Sequence, residues 1–219
     1  MHILYYFKER DTMMYQWQKF HIFENLSSHH CEIEVFNPLL YPDVETANAL
    51  LLERLRRKRY DLFMTPHNES DLFISTVESI RQAGIPTLLI CFDNLTIPFF
   101  HKKICRYFDL VWLTSIETRY LFERWGAKTI FLPYAANPAL ACPSFGGDTE
   151  RVLFIGTLYG SRAAMVNKLL ARDVPVTVFS KVRQKTVSAV PSRNYGALIH
   201  AGRDMLRYSI GRRLLYASV

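Results

Sequence analysis

The stretch HILYYF, residues 2–7, is apolar from Ile3 to Phe7 and stops at the charged KERD. Runs of the same kind return in YDLFMTP (60–66), IPTLLICFD (85–93), the LVWL of RYFDLVWLTS (106–115) and KTIFLPY (128–134). A strand covered on one face alternates apolar and polar residues, whereas a strand apolar throughout must be covered on both. Only CEIEVFN (31–37) alternates. Segments with helical spacing lie between the runs, and strands that alternate with helices predict a parallel sheet. The expected fold is therefore α/β: a Rossmann-like parallel sheet of six strands with helices on both faces.

The connecting segments carry their own signals. Met14, Trp17, Phe20, Ile22, Phe23 and Leu26 fall mainly on one stripe of an amphipathic helix expected over residues 12–28. DVETANALLLERLRRKRY opens on Asp43 as an N-cap and ends in a basic run, where Lys and Arg complement the helix dipole. In HNESDLFISTVESIRQAG, Asn68 and Asp71 are spaced like a capping pair and Gly84 suits the C-terminal stop.

After KTIFLPY the chain enters AANPALACPSFGGDTE, whose prolines and glycines predict a linker. The β–α–β pattern then restarts with a strand at 152–155, a helix near 162–172 and a strand at 175–179. The expected organisation is a first Rossmann-like domain over 1–140, a linker over 141–150, and a second nucleotide-binding unit with a basic tail over 151–219. Charge divides at the same place. Residues 1–150 hold 15 Lys and Arg against 18 Asp and Glu, and residues 151–219 hold 12 against only Asp173 and Asp204. A segment of net charge +10 suits an anionic partner: a nucleotide diphosphate, a nucleic acid or an anionic membrane face.

Several classes of chemistry find no pattern. Cys31, Cys91, Cys105 and Cys142 have neither zinc nor redox spacing and read as free thiols. No Ser-His-Asp, H-x-x-x-H or paired-carboxylate arrangement appears, so no metal is expected. MHILYYFKERD lacks the features of a secretory signal, and no apolar run is long enough to span a bilayer; a cytoplasmic location is expected.

In an open parallel sheet ligands bind beyond the carboxyl ends of the strands. That rule nominates KERD, TPHNES, CFDNLT and GTLYGSR. In the last, Gly156 would let backbone approach a phosphate, Gly160 would bend the turn, and Arg162 would offer a fork of donors at a helix N-terminus. His67 and Asp93, each just past a strand end, are the acid–base candidates. Each also has a plain local reading, His67 as a loop hydrogen-bonder and Asp93 as a turn cap.

The succession PTLLICFDN, YFDLVWLTSIETRYLFERWGAKTIFLPYAANP and RVLFIGTLYGSR resembles the CgeB-like, spore-maturation-type glycosyltransferases over roughly residues 55–180. That group has the GT-B architecture, in which two Rossmann-like domains face one another across a cleft. The resemblance implies metal-independent transfer of a sugar from a nucleotide sugar to an acceptor hydroxyl, with no further cofactor. By position, Gly156, Tyr159 and Arg162 match the nucleotide side and Asp93 matches the acidic strand end of the acceptor side; His67 falls in no matching block. A second domain of this type needs about 150 residues, and 69 follow residue 150. The family's ribose-gripping acidic block has no counterpart in residues 181–219, whose one carboxylate is Asp204.

The chain is thus expected to carry a partial donor domain, by truncation, by a broken reading frame, or with the remainder supplied by a second copy or a complementing chain. The alternative is a non-catalytic scaffold that uses the first domain and the basic tail to hold a partner protein or an anionic membrane. Nucleic-acid binding through residues 181–213 is not expected, since aromatic interleaving is sparse and no known module appears.

Overall fold

In a computed structural model of the chain, residues 1–139, 152–156, 158 and 161–179 are described. The chain separates into two units, Met1–Cys142 and Pro143–Val219. Cys142, Tyr159, Gly160, the linker expected over 141–150 and the tail over 181–219 lie outside the described residues.

The first unit is built on six parallel strands: β1 (His2–Tyr6), β2 (Glu32–Phe36), β3 (Leu62–Thr65), β4 (Thr87–Cys91), β5 (Leu110–Leu113) and β6 (Thr129–Phe131). Their order is β2-β1-β3-β4-β5-β6. Successive side chains of a strand point to opposite faces, so the continuous apolar runs divide into two cores. Leu4, Tyr6, Phe63, Leu89, Cys91, Val111 and Leu113 enter one core with Ala47, Leu51, Val77, Ile80 and Phe122. Ile3, Tyr5, Phe7, Met64 and Ile90 enter the other with Ile22 and, partly buried, Trp17, Phe92 and Trp112. The double-sided, Rossmann-like sheet expected from the sequence is the observed fold.

The first core lies under α3 (Val44–Arg57), α4 (Ile74–Gln82) and α5 (Arg119–Arg124). Asp43 caps α3 as expected, its Oδ1 accepting the Thr46 N–H at 2.6 Å. The basic end of α3 is also largely neutralised: Arg54 and Lys58 both reach Glu34, and Arg57 reaches Glu53. Gly84 ends α4 in the left-handed region at φ 75°. The α4 helix is shorter than expected. It starts at Ile74 without a side-chain cap, because Asn68 and Asp71 are engaged in the preceding loop.

The second core is covered by residues 13–28. One continuous helix was expected there; the structure has α1 (Met13–Gln18), a π turn over Lys19–Phe23 and α2 (Glu24–Ser28). A π turn inserts an extra residue and frees backbone groups. Asn137 meets one of them, its side-chain amide donating to the Phe20 carbonyl at 3.0 Å, and its backbone N–H donates to the His21 side chain at Nδ1, at 2.8 Å. Near the start of the π turn, buried Gln18 accepts the hydroxyl of buried Tyr5.

Cys91 and Cys105 are buried free thiols, and Cys31 is half-buried and free. Among the described residues, no helix is long and apolar enough to cross a membrane. In the second unit, β7 (Val152–Ile155) pairs in parallel with β8 (Val176–Phe179), and α6 (Ser161–Leu170) lies between them in the chain.

The loops after β4 and β5 are held together by one buried side chain, Asn94, which is 1% exposed. Its Oδ1 accepts the Thr114 N–H, the Thr114 hydroxyl and the Ser115 N–H, each at 2.9 Å. Its amide donates to the Ser115 carbonyl at 2.7 Å and to the Thr118 hydroxyl. Replacing it strands several buried partners. Asn94→Ala should cost about 3 kcal/mol in urea unfolding; a loss below about 1 kcal/mol would show that water replaces the network.

Candidate functional site

Where the strand order reverses, the loops leaving two neighbouring strands part and open a crevice. Here the reversal lies between β1 and β3, so residues after Tyr6 and after Thr65 meet at the carboxyl edge. His67 sits there, 13% exposed at its side chain, and both of its ring nitrogens are engaged. The Lys8 backbone N–H donates to Nε2 at 3.0 Å. That places the ring proton on Nδ1, which lies 3.0 Å from Asp71 Oδ2. The other Asp71 oxygen pairs with Lys8 Nζ at 2.5 Å.

The hydrogen bond from His67 and the Lys8 ammonium together hold the Asp71 carboxyl at about 2, against the opposing effect of burial. Around this ion-paired knot, Tyr6 Oη and Asn48 Nδ2 donate to the Asp71 carbonyl at 2.6 and 3.1 Å. Asn48 Oδ1 accepts the Phe73 N–H at 3.0 Å. The loop after β3 is therefore strapped to β1 and α3, and His67 is the tie.

Asp93 is placed differently. It follows β4 at φ 51°, the left-handed region that Asp tolerates better than most residues. Its carbonyl accepts the Thr96 and Ile97 N–H groups at 2.9 and 3.1 Å, so it opens a turn as its plain reading anticipates. Its carboxylate is exposed and takes one hydrogen bond, from Tyr134 Oη at 3.2 Å; the same hydroxyl accepts the Asp93 N–H at 3.1 Å. Behind it stands an aromatic group. Phe92 and Tyr134 are stacked with centroids 6.1 Å apart, and Trp17 meets both edge-on at 5.9 and 5.3 Å.

The same edge thus holds two carboxylates of opposite availability: Asp71 has one oxygen ion-paired with Lys8 and the other bonded by the His67 N–H, whereas among the described residues Asp93 keeps most of its accepting capacity. No hydrogen bond or ion pair joins His67 to Asp93 among the described residues. Tyr134, Asn94, Lys8 and Asp71 belong to this edge: Lys8 and Asn94 lie in the nominated KERD and CFDNLT loops without being singled out there, Asp71 reads in the sequence as a helix cap, and Tyr134 is not named. Tyr134 and Asn94 had a local signal in their places directly beyond strand ends; the Lys8–Asp71 pairing had none.

In the second unit Gly156 has φ 141°, a conformation side-chain-bearing residues rarely adopt. Its N–H donates to the Phe179 carbonyl at 2.9 Å, so this amide is committed to the strand pair. Arg162 is exposed in the first turn of α6. The partner strands leave apolar surface open, with Leu153 56% and Ile155 80% exposed. Among the described residues no group of three His, Cys, Asp or Glu side chains is placed to hold a metal.

No protein-family model matches the sequence, and no curated protein matches it. Among solved structures, the chain is similar to Anabaena HepE in complex with UDP and glucose, at 15% identity and a TM-score of 0.48, covering 81% of this chain and 60% of that one. It is similar to an ABC-transporter solute-binding protein from Clostridium phytofermentans with bound β-D-glucose, at 11% identity and a TM-score of 0.37, covering 81% and 51%. A sugar transporter from the same organism matches at 11% identity and a TM-score of 0.34, covering 82% and 79%. The chain therefore spans between about half and two thirds of the length of the first two. These identities and TM-scores carry no residue roles to this chain.

His101 marks the pH response of the site. It is 3% exposed, and its Nε2 donates to the Pro66 carbonyl at 2.9 Å, tying the β4 loop to the β3 loop. Burial lowers its pKa from 6.5 to about 4. Because the folded state takes up the proton less readily than the unfolded state, the contribution is whole above pH 6.5 and is lost as the pH falls toward 4. Wild type should lose up to about 3 kcal/mol across that window in urea unfolding, and His101→Gln should flatten it. An equal loss in the variant would assign the effect to another group.

Proposed function

We propose that this chain is a GT-B-type glycosyltransferase chain that handles a nucleotide sugar. One observation carries the reading: after a six-stranded parallel unit, the chain opens a second parallel β–α–β unit whose first strand ends in a positive-φ glycine and whose helix begins beside Arg162. The blocks that resemble the CgeB-like glycosyltransferases span the same two units, and finer membership in that group is part of the proposal.

In the transfer, the acceptor oxygen bonds to the anomeric carbon as the bond from that carbon to the diphosphate breaks. The hydroxyl proton needs a carboxylate with free accepting capacity, and Asp93 has it. The departing diphosphate needs cationic donors where its charge develops; Arg162 and the first turn of α6 are suited to this. With both ring nitrogens bonded, His67 serves as a positioning residue that fixes the β3 loop. Gly156 shapes the turn by its conformation rather than by its committed N–H. Tyr159 keeps the nucleotide-side role that the resemblance implies.

A non-catalytic scaffold is the second reading. The open apolar surface of β7 and β8 favours it, since such surface fits a partner contact.

A thermal-shift panel of UDP, GDP, CDP, TDP and ADP separates the two. One nucleotide at about 100 times its Kd should stabilise the chain by about 2.7 kcal/mol. The effect should vanish in Arg162→Ala and persist in Asp93→Asn, which should lose transfer alone. A flat panel on folded protein would reject the enzyme reading and leave the scaffold.

A further inference from the structure

The connection from β4 to β5 contains no α-helix. It consists of two 3-10 turns, Pro98–His101 and Cys105–Tyr107. Its inner side is apolar and buried, through Ile104, Cys105 and Phe108. Its outer side is basic. Lys102, Lys103 and Arg106, with Arg124 from the end of α5, line an open groove of about 500 Å³ together with Tyr107 and Trp125.

No carboxylate lines this groove. Lys103 reaches Glu69 at 3.2 Å, whereas Lys102, Arg106 and Arg124 have no ion pair among the described residues. The α-helix-end explanation that accounts for the basic run of α3 applies here to Arg124 alone, since the other three cations lie on or beside 3-10 turns of three and four residues, too short for a helix dipole of that size. A second basic hollow, around Arg56–Arg59, differs: Lys58 and Arg57 there already hold glutamates, and it lies where α3 and α4 end in backbone carbonyls.

Four concentrated cations call for an anionic partner, and the aromatic rings say which kind. Lys102 Nζ stands 5.9 Å from the Trp125 ring centre and the Arg106 guanidinium 4.9 Å from that of Tyr107. Each ring thus already holds a cation against it, where a stacking base would have to displace that cation. Apolar side chains stand beside the charges. Phe99 packs on Trp125 at 5.4 Å, which sets the Pro98–His101 turn against the groove, and the same segment exposes Ile97 at 49% and Phe100 at 42%. Exposed apolar residues beside Lys and Arg, with Trp and Tyr at the boundary, match the layering of a lipid interface: acyl chains, glycerol and phosphate.

We propose that the β4–β5 crossover is a peripheral membrane-contact surface, in which Lys102, Lys103, Arg106 and Arg124 engage the phosphates of anionic phospholipids and Ile97 and Phe100 enter the interface. The surface belongs to the first unit and does not depend on the sugar-transfer reading.

Co-sedimentation of the full chain with phosphatidylcholine vesicles, with and without about one-third phosphatidylglycerol, tests this directly. Binding should require the anionic lipid and weaken with salt. Lys102→Glu with Arg106→Glu should lower partitioning at least about tenfold. Phe100→Ser should weaken it severalfold while leaving the salt dependence unchanged. These side chains are exposed, so unchanged thermal unfolding of the variants is expected and separates lost binding from lost fold. No wild-type binding to the mixed vesicles would overturn the proposal. So would full binding by the charge-reversal variant, which would move the contact to the basic segment beyond residue 150. Displacement from vesicles by a single-stranded oligonucleotide that itself binds wild type and not the charge-reversal variant would overturn it in favour of nucleic acid.

Discussion

Burial of both faces of one parallel sheet is the constraint on which the remaining structure depends. Leu4 and Tyr6 enter one core while Ile3 and Tyr5 enter the other, and the same division repeats along β3 and β4. A strand occupied on both sides has no face on which to place polar chemistry. Polar side chains that act must stand at the ends of strands, and the loops there must be ordered without a core of their own. The hydrogen-bonding groups that order them become part of the scaffold.

Three side chains perform that ordering, each through a different device. His67 ties β1 to β3 by accepting a backbone N–H on one nitrogen and bonding a carboxylate with the other. His101 ties β3 to β4 through the Pro66 carbonyl. Asn94 ties β4 to β5 through both ends of its amide. Buried polar groups such as these are stabilising only when all their partners are present. The three ties order the edge jointly, and Asp93, whose carboxylate stands outside that network, directly precedes one of them, Asn94.

The sheet was legible because its signal is local and repeated: the apolar runs of β1, β3 and β4 announce strands buried on both sides, whereas KTIFLPY became the edge strand β6, where Ile130 remains 37% exposed. Asp43 and Gly84 were legible for the same reason, since a cap and a left-handed stop are properties of one turn of chain. The π turn at Lys19–Phe23 was not, because one of its freed groups is met by Asn137, more than a hundred residues away. Residues 67–73 read as the opening of a helix, yet they form a loop because Lys8 and Asn48 draw Asp71 away from capping. His67 and Asp93 were alike in position, each standing just past a strand, although only Asp93 fell in a block resembling the glycosyltransferases. Their difference lies in partners brought by the fold: an N–H and a carboxylate for His67, one phenol for Asp93.

That difference bears on how a sheet edge can carry both stability and chemistry. A carboxylate held by an ammonium and a ring N–H is a poor proton acceptor, since its low pKa reflects the interactions protonation would destroy. Asp71 is such a group, and its value lies in the order it imposes. Asp93 shares its proton-accepting oxygens with a single neutral hydroxyl, and its left-handed backbone costs the turn some stability in return for aiming the carboxylate outward. The Tyr134 hydroxyl both donates to the carboxylate and accepts the N–H of the same residue, so it can hold Asp93 in place without neutralising it. A neighbouring cation in place of that phenol would fix the carboxylate equally well and deprive it of basicity. Asp71 is thus held by a cation from the loop after β1 and Asp93 by a neutral phenol, which leaves the two carboxylates with different accepting capacity.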